Sequence, residues 1–305
     1  MSMTRRRTLL CAGAVAGMQT LLGVGYTAED GSPLLRAIPK TGQLLPAIGM
    51  GTWITFQVGD DPQALAERRE ILRTFLERGG AMLDSSPMYG RAEAVLGQCL
   101  RELHFPANPF RATKVWILGR RFGINQMAHS EQLWGEGGFE LMQVHNLLDW
   151  DAHLPTLREW KAAGRIRYLG VTTSHGRRHE ELEQIMRTEE LDFVQFTYNI
   201  VDREAEERLL PLAAERGIAV IINRPFEHGA LFEHVRGRPL PGWTAEIGCR
   251  NWAQVFLKFI VSHPAVTCAI PATSQAAHMA ENIAALHGAL PDSALRRRMA
   301  ADFAG

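Results

Sequence analysis

Along most of this chain, short continuous apolar runs alternate with longer stretches in which apolar residues return every three or four positions. The first kind reads as strands buried on both faces, the second as amphipathic helices packed over them. AIPKTGQLLPAIGMGTW opens the series as a small hairpin turning at Thr41–Gly42, then a first strand ending near Trp53. A helix over 62–78 precedes a strand to Asp84, a helix over 91–103 a strand to Lys114, and helical spacing over 125–136 a strand to His145. LREWKAAG is a helix stopping at Gly164, before the strand RYLGVT. A helix over 177–188 leads to DFVQFTY, one over 204–216 to IAVIIN, and one over about 249–262 to VTCAI, with a last helix over 275–287. Eight such units predict an α/β fold, a (β/α)8 TIM barrel of a single domain over 35–290, with a C-terminal helix or tail over 291–305. The longest connection, 225–248, holds three prolines and four glycines and is long enough to serve a function.

Four polar residues stand at or just past the ends of these apolar runs. Asp84 closes AMLD, Tyr89 follows five residues on, Lys114 lies in RATKVW and His145 ends ELMQVH. The carboxyl ends of barrel strands are where such a fold builds its active site. The set also makes chemical sense. A free tyrosine, with a pKa of about 10, is a weak acid near neutrality. A lysine cation beside it is expected to lower that pKa, and an aspartate to hold the lysine charged and in place. A histidine beside the phenol could orient a carbonyl oxygen to receive the proton. Carbonyl reduction is the chemistry this combination suits.

Here the chain resembles the aldo-keto reductase family. The matching strings run from IGMGTW at 48–53 to IPATSQAAHMAEN at 270–282, through GRIRYLGVTTS at 164–174, VQFTYN at 194–199 and RPFEHGALF at 224–232. The resemblance implies that Asp84, Tyr89, Lys114 and His145 form a catalytic tetrad and that the reaction is NAD(P)H-dependent reduction of aldehydes or ketones. It also implies the cofactor site. Thr52 and Trp53 lie at the first strand end, and Thr172, Thr173 and Gln195 hydrogen-bond the carboxamide. Asn223 stands where a stacking tyrosine is usual, and Arg224, Phe226 and His228 line the pyrophosphate. Thr273 is a phosphate donor near the start of a helix, and Glu281 and Asn282 hold the adenine. Where NADP-preferring members carry a lysine and an arginine, this chain has Ala272 and His278. NADPH is the expected cofactor, with NADH also accepted, because a charge-assisted contact to the 2′-phosphate is missing. GMGTW lacks the third glycine of a dinucleotide-fold fingerprint, so the nucleotide is not expected at the first strand. An apolar substrate pocket is expected from Trp53, Phe56, Trp116, Trp150 and the loop 225–248.

Composition narrows the alternatives. Acidic and basic residues are equal at 33 each, which gives no net field to gather nucleic acid. Arg296–Arg297–Arg298 read as the solvated face of the last helix. Cys99, Cys249 and Cys268 are isolated and lack metal-ligand spacing, and no metal site is expected. His175 and His179, four apart, read as solvent-facing. A nucleotide-binding redox sensor or regulatory subunit is the competing reading, disfavoured by an intact proton donor. A barrel hydrolase or lyase would want paired carboxylates.

Residues 1–30 are of another kind. Arg5–Arg6–Arg7 precede the apolar run LLCAGAVAGMQTLLGVG, as in an export signal, and resemble a twin-arginine leader. Tyr26–Thr27–Ala28 is a partial cleavage-site match. The expectation is a periplasmic or secreted protein that engages the twin-arginine export machinery. An uncleaved membrane anchor is the alternative, and it would be the chain's only membrane contact.

Overall fold

The structure, a computed structural model, describes residues 32–105, 108–135 and 137–304. The leader lies outside them. Strand β1 (Leu35–Ala37) pairs antiparallel with β2 (Leu44–Pro46), and the turn between them is closed by Ile38 N–H to the Gln43 carbonyl at 2.8 Å. Eight further strands form one parallel sheet in chain order: β3 (Met50–Gly51), β4 (Met82–Asp84), β5 (Phe110–Val115), β6 (Phe139–Val144), β7 (Ile166–Thr172), β8 (Phe193–Thr197), β9 (Ala219–Asn223) and β10 (Cys268–Ala269). The sheet closes on itself: Ile48 bridges Ala269 in parallel, with Gly49 N–H donating to the Ala269 carbonyl at 2.8 Å and Ala269 N–H to that of Ala47 at 2.9 Å. The barrel expected from eight alternating units is the fold observed.

Helices pack around it: α1 (Pro62–Glu77), α2 (Ala92–Leu103), α3 (Arg120–Trp134), α4 (Trp150–Ala162), α5 (His179–Thr188), α6 (Leu209–Arg216), α7 (Ala230–His234), α8 (Trp252–Val261), α9 (Ala276–Ala284) and α10 (Ser293–Ala304). Local chemistry sets their ends. The Asp61 carboxylate caps α1 by accepting from the Gln63 and Ala64 amides, with Pro62 at the first helical position. Gly217 ends α6 in the left-handed conformation at φ 61°. The connection 225–248 is not structureless. It carries α7 and two short 3-10 turns, because Leu231, Val235, Trp243 and Ile247 bury themselves against the core.

Inside the barrel, alternate residues of each strand point inward. Met82, Phe110, Leu141, Tyr168, Phe193, Ala219 and Cys268 form one apolar cluster, which Ile38 and Leu45 of the hairpin close from below. The Tyr168 hydroxyl donates to Gln43 at 2.8 Å and lies 3.0 Å from the Thr41 hydroxyl, tying hairpin to floor. Two residues further along β4, β6 and β8 the inward positions become Asp84, Gln143 and Gln195, and four further along β5 and β9 they become Lys114 and Asn223. An apolar floor thus carries a polar layer at the carboxyl ends.

Arg296 corrects the expectation of a solvated basic face on α10. Its guanidinium is largely buried and donates to the Phe259 carbonyl, to Ser262 Oγ at 2.8 Å, to the Tyr198 hydroxyl and to Glu206 at 2.9 Å, while Arg297 and Arg298 are exposed. No helix among the described residues is long and apolar enough to cross a membrane.

Candidate active site

A cavity of about 440 Å³ opens at the carboxyl end of the barrel, within the size range of small-molecule sites. Tyr89 and His145 line it together with Asp84. At its base the Lys114 ammonium, fully buried, donates to Asp84 Oδ2 at 2.5 Å and to the Ser85 carbonyl at 2.8 Å. Its nitrogen lies 5.2 Å from the centre of the Tyr89 ring, and the Tyr89 and His145 rings meet edge to face at 5.5 Å. Residues from β4, from the turn after it, from β5 and from the end of β6 are therefore brought into one cluster.

Asp84 Oδ1 accepts from Gln195 Nε2 at 3.0 Å and from Gln143 Nε2 at 3.3 Å. Its backbone carbonyl accepts from Thr52 Oγ1 at 3.0 Å, and that hydroxyl also lies 2.8 Å from Ser85 Oγ. Ser86 Oγ, 2.7 Å from His145 Nδ1, accepts from the Met88 amide at 3.2 Å. A buried serine proton needs an acceptor, and Nδ1 supplies it, which puts the imidazole proton on Nε2. Burial, and then the Lys114 charge, pushes the His145 pKa well below the usual 6.5, so the ring is neutral near neutrality. Its Nε2 is then a hydrogen-bond donor without charge.

Tyr89 departs from expectation. Burial first, then the Asp84 charge, raises its pKa well above 10. The Lys114 charge does not overcome this rise, because the ammonium is already engaged by Asp84 and Ser85 and its own pKa is lowered by burial. The Tyr89 side chain is half-buried along the cavity wall, so this rise comes from an enclosed cavity and not from sealing inside the core. A raised pKa keeps the phenol protonated, which is the form a proton donor requires.

Around the rest of the cavity, Thr173, Gln195 and Asn223 stand together. Asn223 Nδ2 donates to the Thr173 carbonyl at 2.9 Å and approaches Gln195 Oε1 at 3.4 Å, while Asn223 Oδ1 accepts from Thr197 at 2.8 Å. Thr173 Oγ1 is buried with no hydrogen-bond partner. Thr172 is oriented otherwise: its hydroxyl accepts from the Asn146 amide at 3.0 Å and does not line the cavity. Arg224 donates through Nη1 to His175 at 2.6 Å and to His228, and through Nη2 to Glu227 at 3.0 Å. Burial, then the Arg224 charge, lowers both imidazole pKa values, as accepting from a permanent cation demands. Trp53 meets the His228 ring edge-on at 4.6 Å across the cavity mouth.

Thr273 lines the cavity with Ala272 and Ser274, and so does Phe226. His278, Glu281 and Asn282, on α9, do not line it: His278 and Glu281 are exposed and Asn282 is buried. The expected pocket is also smaller in aromatic content. Phe56 is fully buried in the core, Trp150 packs against that core, and Trp116 is 40% exposed without lining the cavity. Ile54 and Met88 take their place beside Trp53. His179, expected at the surface, is buried with Nδ1 3.2 Å from Glu204. Among the described residues no group of three His, Cys, Asp or Glu could hold a metal ion. Cys99, Cys249 and Cys268 are free and buried. Gln143 escaped the sequence reading. Its signal was its place two residues before His145, on the same face of the strand.

Comparison with known proteins agrees with the barrel fold. The chain is 27% identical over 248 residues to an NADH-specific methylglyoxal reductase of Escherichia coli (strain K12), covering 68% of this chain and 72% of that protein. It is 25% identical over 252 residues to a pyridoxal 4-dehydrogenase of Microbacterium luteolum, covering 64% and 71%. Among solved structures, the holo form of an aldo-keto reductase from Bacillus halodurans superposes with a TM-score of 0.72 at 20% identity, over 89% of this chain and 96% of that one. One from Klebsiella pneumoniae in complex with NADP and acetate gives 0.71 at 21%, over 88% and 94%. The model of the aldo/keto reductase family matches residues 47–301, from the first barrel strand into the last helix, and the chain belongs to that family.

Proposed function

We propose that this chain reduces aldehydes or ketones to alcohols with NADPH or NADH, Tyr89 giving the proton. The observation that carries the reading is the buried Lys114–Asp84 pair packed against Tyr89, with neutral His145 at its edge, in one cavity. The residues present fit a nicotinamide cofactor. Thr173 Oγ1 stands buried and unpartnered beside the amides of Gln195 and Asn223, a set that a carboxamide would satisfy. Arg224, whose Nε is also buried without a partner, and the start of α9 near Thr273 suit phosphate oxygens. When bound, the cofactor supplies a hydride. That one relative is named NADH-specific while a solved neighbour holds NADP supports leaving both forms open.

The protein's own part is positioning and proton delivery. His145 Nε2–H donates to a carbonyl oxygen and aims it at the Tyr89 hydroxyl. Tyr89 holds its proton until negative charge develops on that oxygen. Lys114 then favours the phenolate left behind, and Asp84 keeps Lys114 charged. Trp53, Ile54 and Met88 give this half of the cavity an apolar wall that excludes water. Tyr89→Phe keeps the ring and removes the proton. Cofactor binding should survive while kcat falls at least about a hundredfold. A variant keeping most of the wild-type kcat would remove Tyr89 from the mechanism.

For residues 1–30 we propose export of the folded protein by the twin-arginine route, to the periplasm or beyond. Arg5–Arg6–Arg7 ahead of a long apolar run support it. Replacing Arg5 and Arg6 with lysine should retain active protein in the cytoplasm. Unchanged export of that variant would defeat the idea, and recovery of the intact chain in membranes would mean an anchor.

A further inference from the structure

Gln143 is wholly buried on β6, in register with Lys114 of β5 on one side and Gly170 of β7 on the other. A Cβ at Gly170 would lie 2.5 Å from the Phe193 carbonyl oxygen, so that position stays bare. Gln143 Nε2 and Gln195 Nε2 donate to the same oxygen, Asp84 Oδ1, and Lys114 takes Oδ2. Turning the Gln143 amide over would set its oxygen against a carboxylate, so charge fixes the orientation. The other end of the amide, Oε1, is buried with no partner. Packing alone does not explain such a residue. Methionine, of similar length, would fill the position without an orphaned acceptor.

We propose that Gln143 is a positioning residue for the proton donor: with Gln195 it clamps Asp84 Oδ1 between two amide donors, leaving Oδ2 to hold Lys114 against Tyr89. The proposal rests on the reading of Tyr89 as the acid and adds a residue that touches neither substrate nor cofactor. Lys114 is faced by Asp84 from β4, Tyr89 from the following turn, His145 from the end of β6 and Glu93 from α2 behind the sheet. The buried thiol of Cys268 on β10 faces Asp84. Removing one amide donor leaves more of the Asp84 charge uncompensated. That favours charged Lys114 and disfavours the phenolate, so the acid weakens.

The chain has four lysines, Lys40, Lys114, Lys161 and Lys258. Isotope labelling of lysine Cε therefore gives few NMR signals, and Lys114→Met assigns the one that matters. In Gln143→Met the Lys114 titration midpoint should move up by about one pH unit, and kcat should fall about tenfold. The cofactor Kd, read by fluorescence quenching, should not change. Gln143→Asn keeps an amide but draws it back from Asp84, and should shift the midpoint in the same direction. An unchanged midpoint in either folded variant overturns the clamp, and so does a loss of cofactor affinity matching the loss of kcat. Should the wild-type protein reduce no carbonyl compound while the midpoint still moves, the proposed function falls and the clamp stands.

Discussion

The two ends of the barrel interior are built from the same eight strands and differ in every physical respect. The floor is apolar. Phe110, Tyr168 and Phe193 pack with ring centres 5.4–5.9 Å apart, under a hairpin that closes them from solvent. The carboxyl end holds an ion pair, two buried glutamines, an imidazole kept neutral and several unpartnered polar atoms. Backbone strain divides the same way. Among the described residues every non-glycine residue at positive φ except His104 follows the carboxyl end of a strand, including Asn146, Leu147 and Asp149 after β6 and Arg224, Glu227 and His228 after β9. Such residues cost about 1–3 kcal/mol each and persist only where surrounding structure holds them. The floor supplies stability, which the other end gives up in part to hold reactive groups in place.

Lys114→Met strikes hardest at the polar end. It leaves Asp84 buried without its cation, which costs about 3–5 kcal/mol, and it removes the charge that favours the phenolate. Denaturant titration should show the stability loss, and assays of surviving folded protein should show turnover near background. Phe193→Ala is the converse. A cavity in the floor should cost a similar 3–5 kcal/mol or so, with kcat nearly unchanged in the folded fraction. Should Phe193→Ala silence the enzyme at temperatures where it remains folded, the separation of the two ends fails.

A smaller effect is expected from pH. The folded His145 pKa is lowered, so between that value and about 6.5 the unfolded chain binds a proton that the folded chain does not. Stability from this group is complete above about 6.5 and is lost as pH falls through that window. His145→Asn should flatten the acid side of the curve of melting temperature against pH. It should not abolish the slope, because His263, held at about 4 by burial and by Arg296, contributes with the same sign from outside the barrel. The smallest effect is that of Thr173→Val, which removes the orphaned hydroxyl at the cavity wall. Cofactor Kd should rise about tenfold, the worth of one hydrogen bond, with no loss of melting temperature in the free protein. Unchanged affinity would dissociate Thr173 from the cofactor.

The sequence by itself determined the order of strands and helices, and hence the barrel. Periodicity is a local property, and each apolar run is buried whatever its neighbours are. Asp84, Lys114 and His145 were legible for the same reason, since a polar residue ending an apolar strand marks the carboxyl end. Other features depend on what lies across the barrel. Gln143 looks like any polar strand residue until closure brings it to the far oxygen of Asp84. In the sequence, the lysine alone bears on the Tyr89 pKa. Its rise follows from enclosure and from an aspartate that already engages that lysine, neither of which can be counted along a chain. Arg296 and His179 have the charge and spacing of surface residues, and only the packing of α10 and α5 against the barrel buries them. Their partners lie at sequence separations of 90 and 25 residues, and long-range pairing of that kind is decided by tertiary structure.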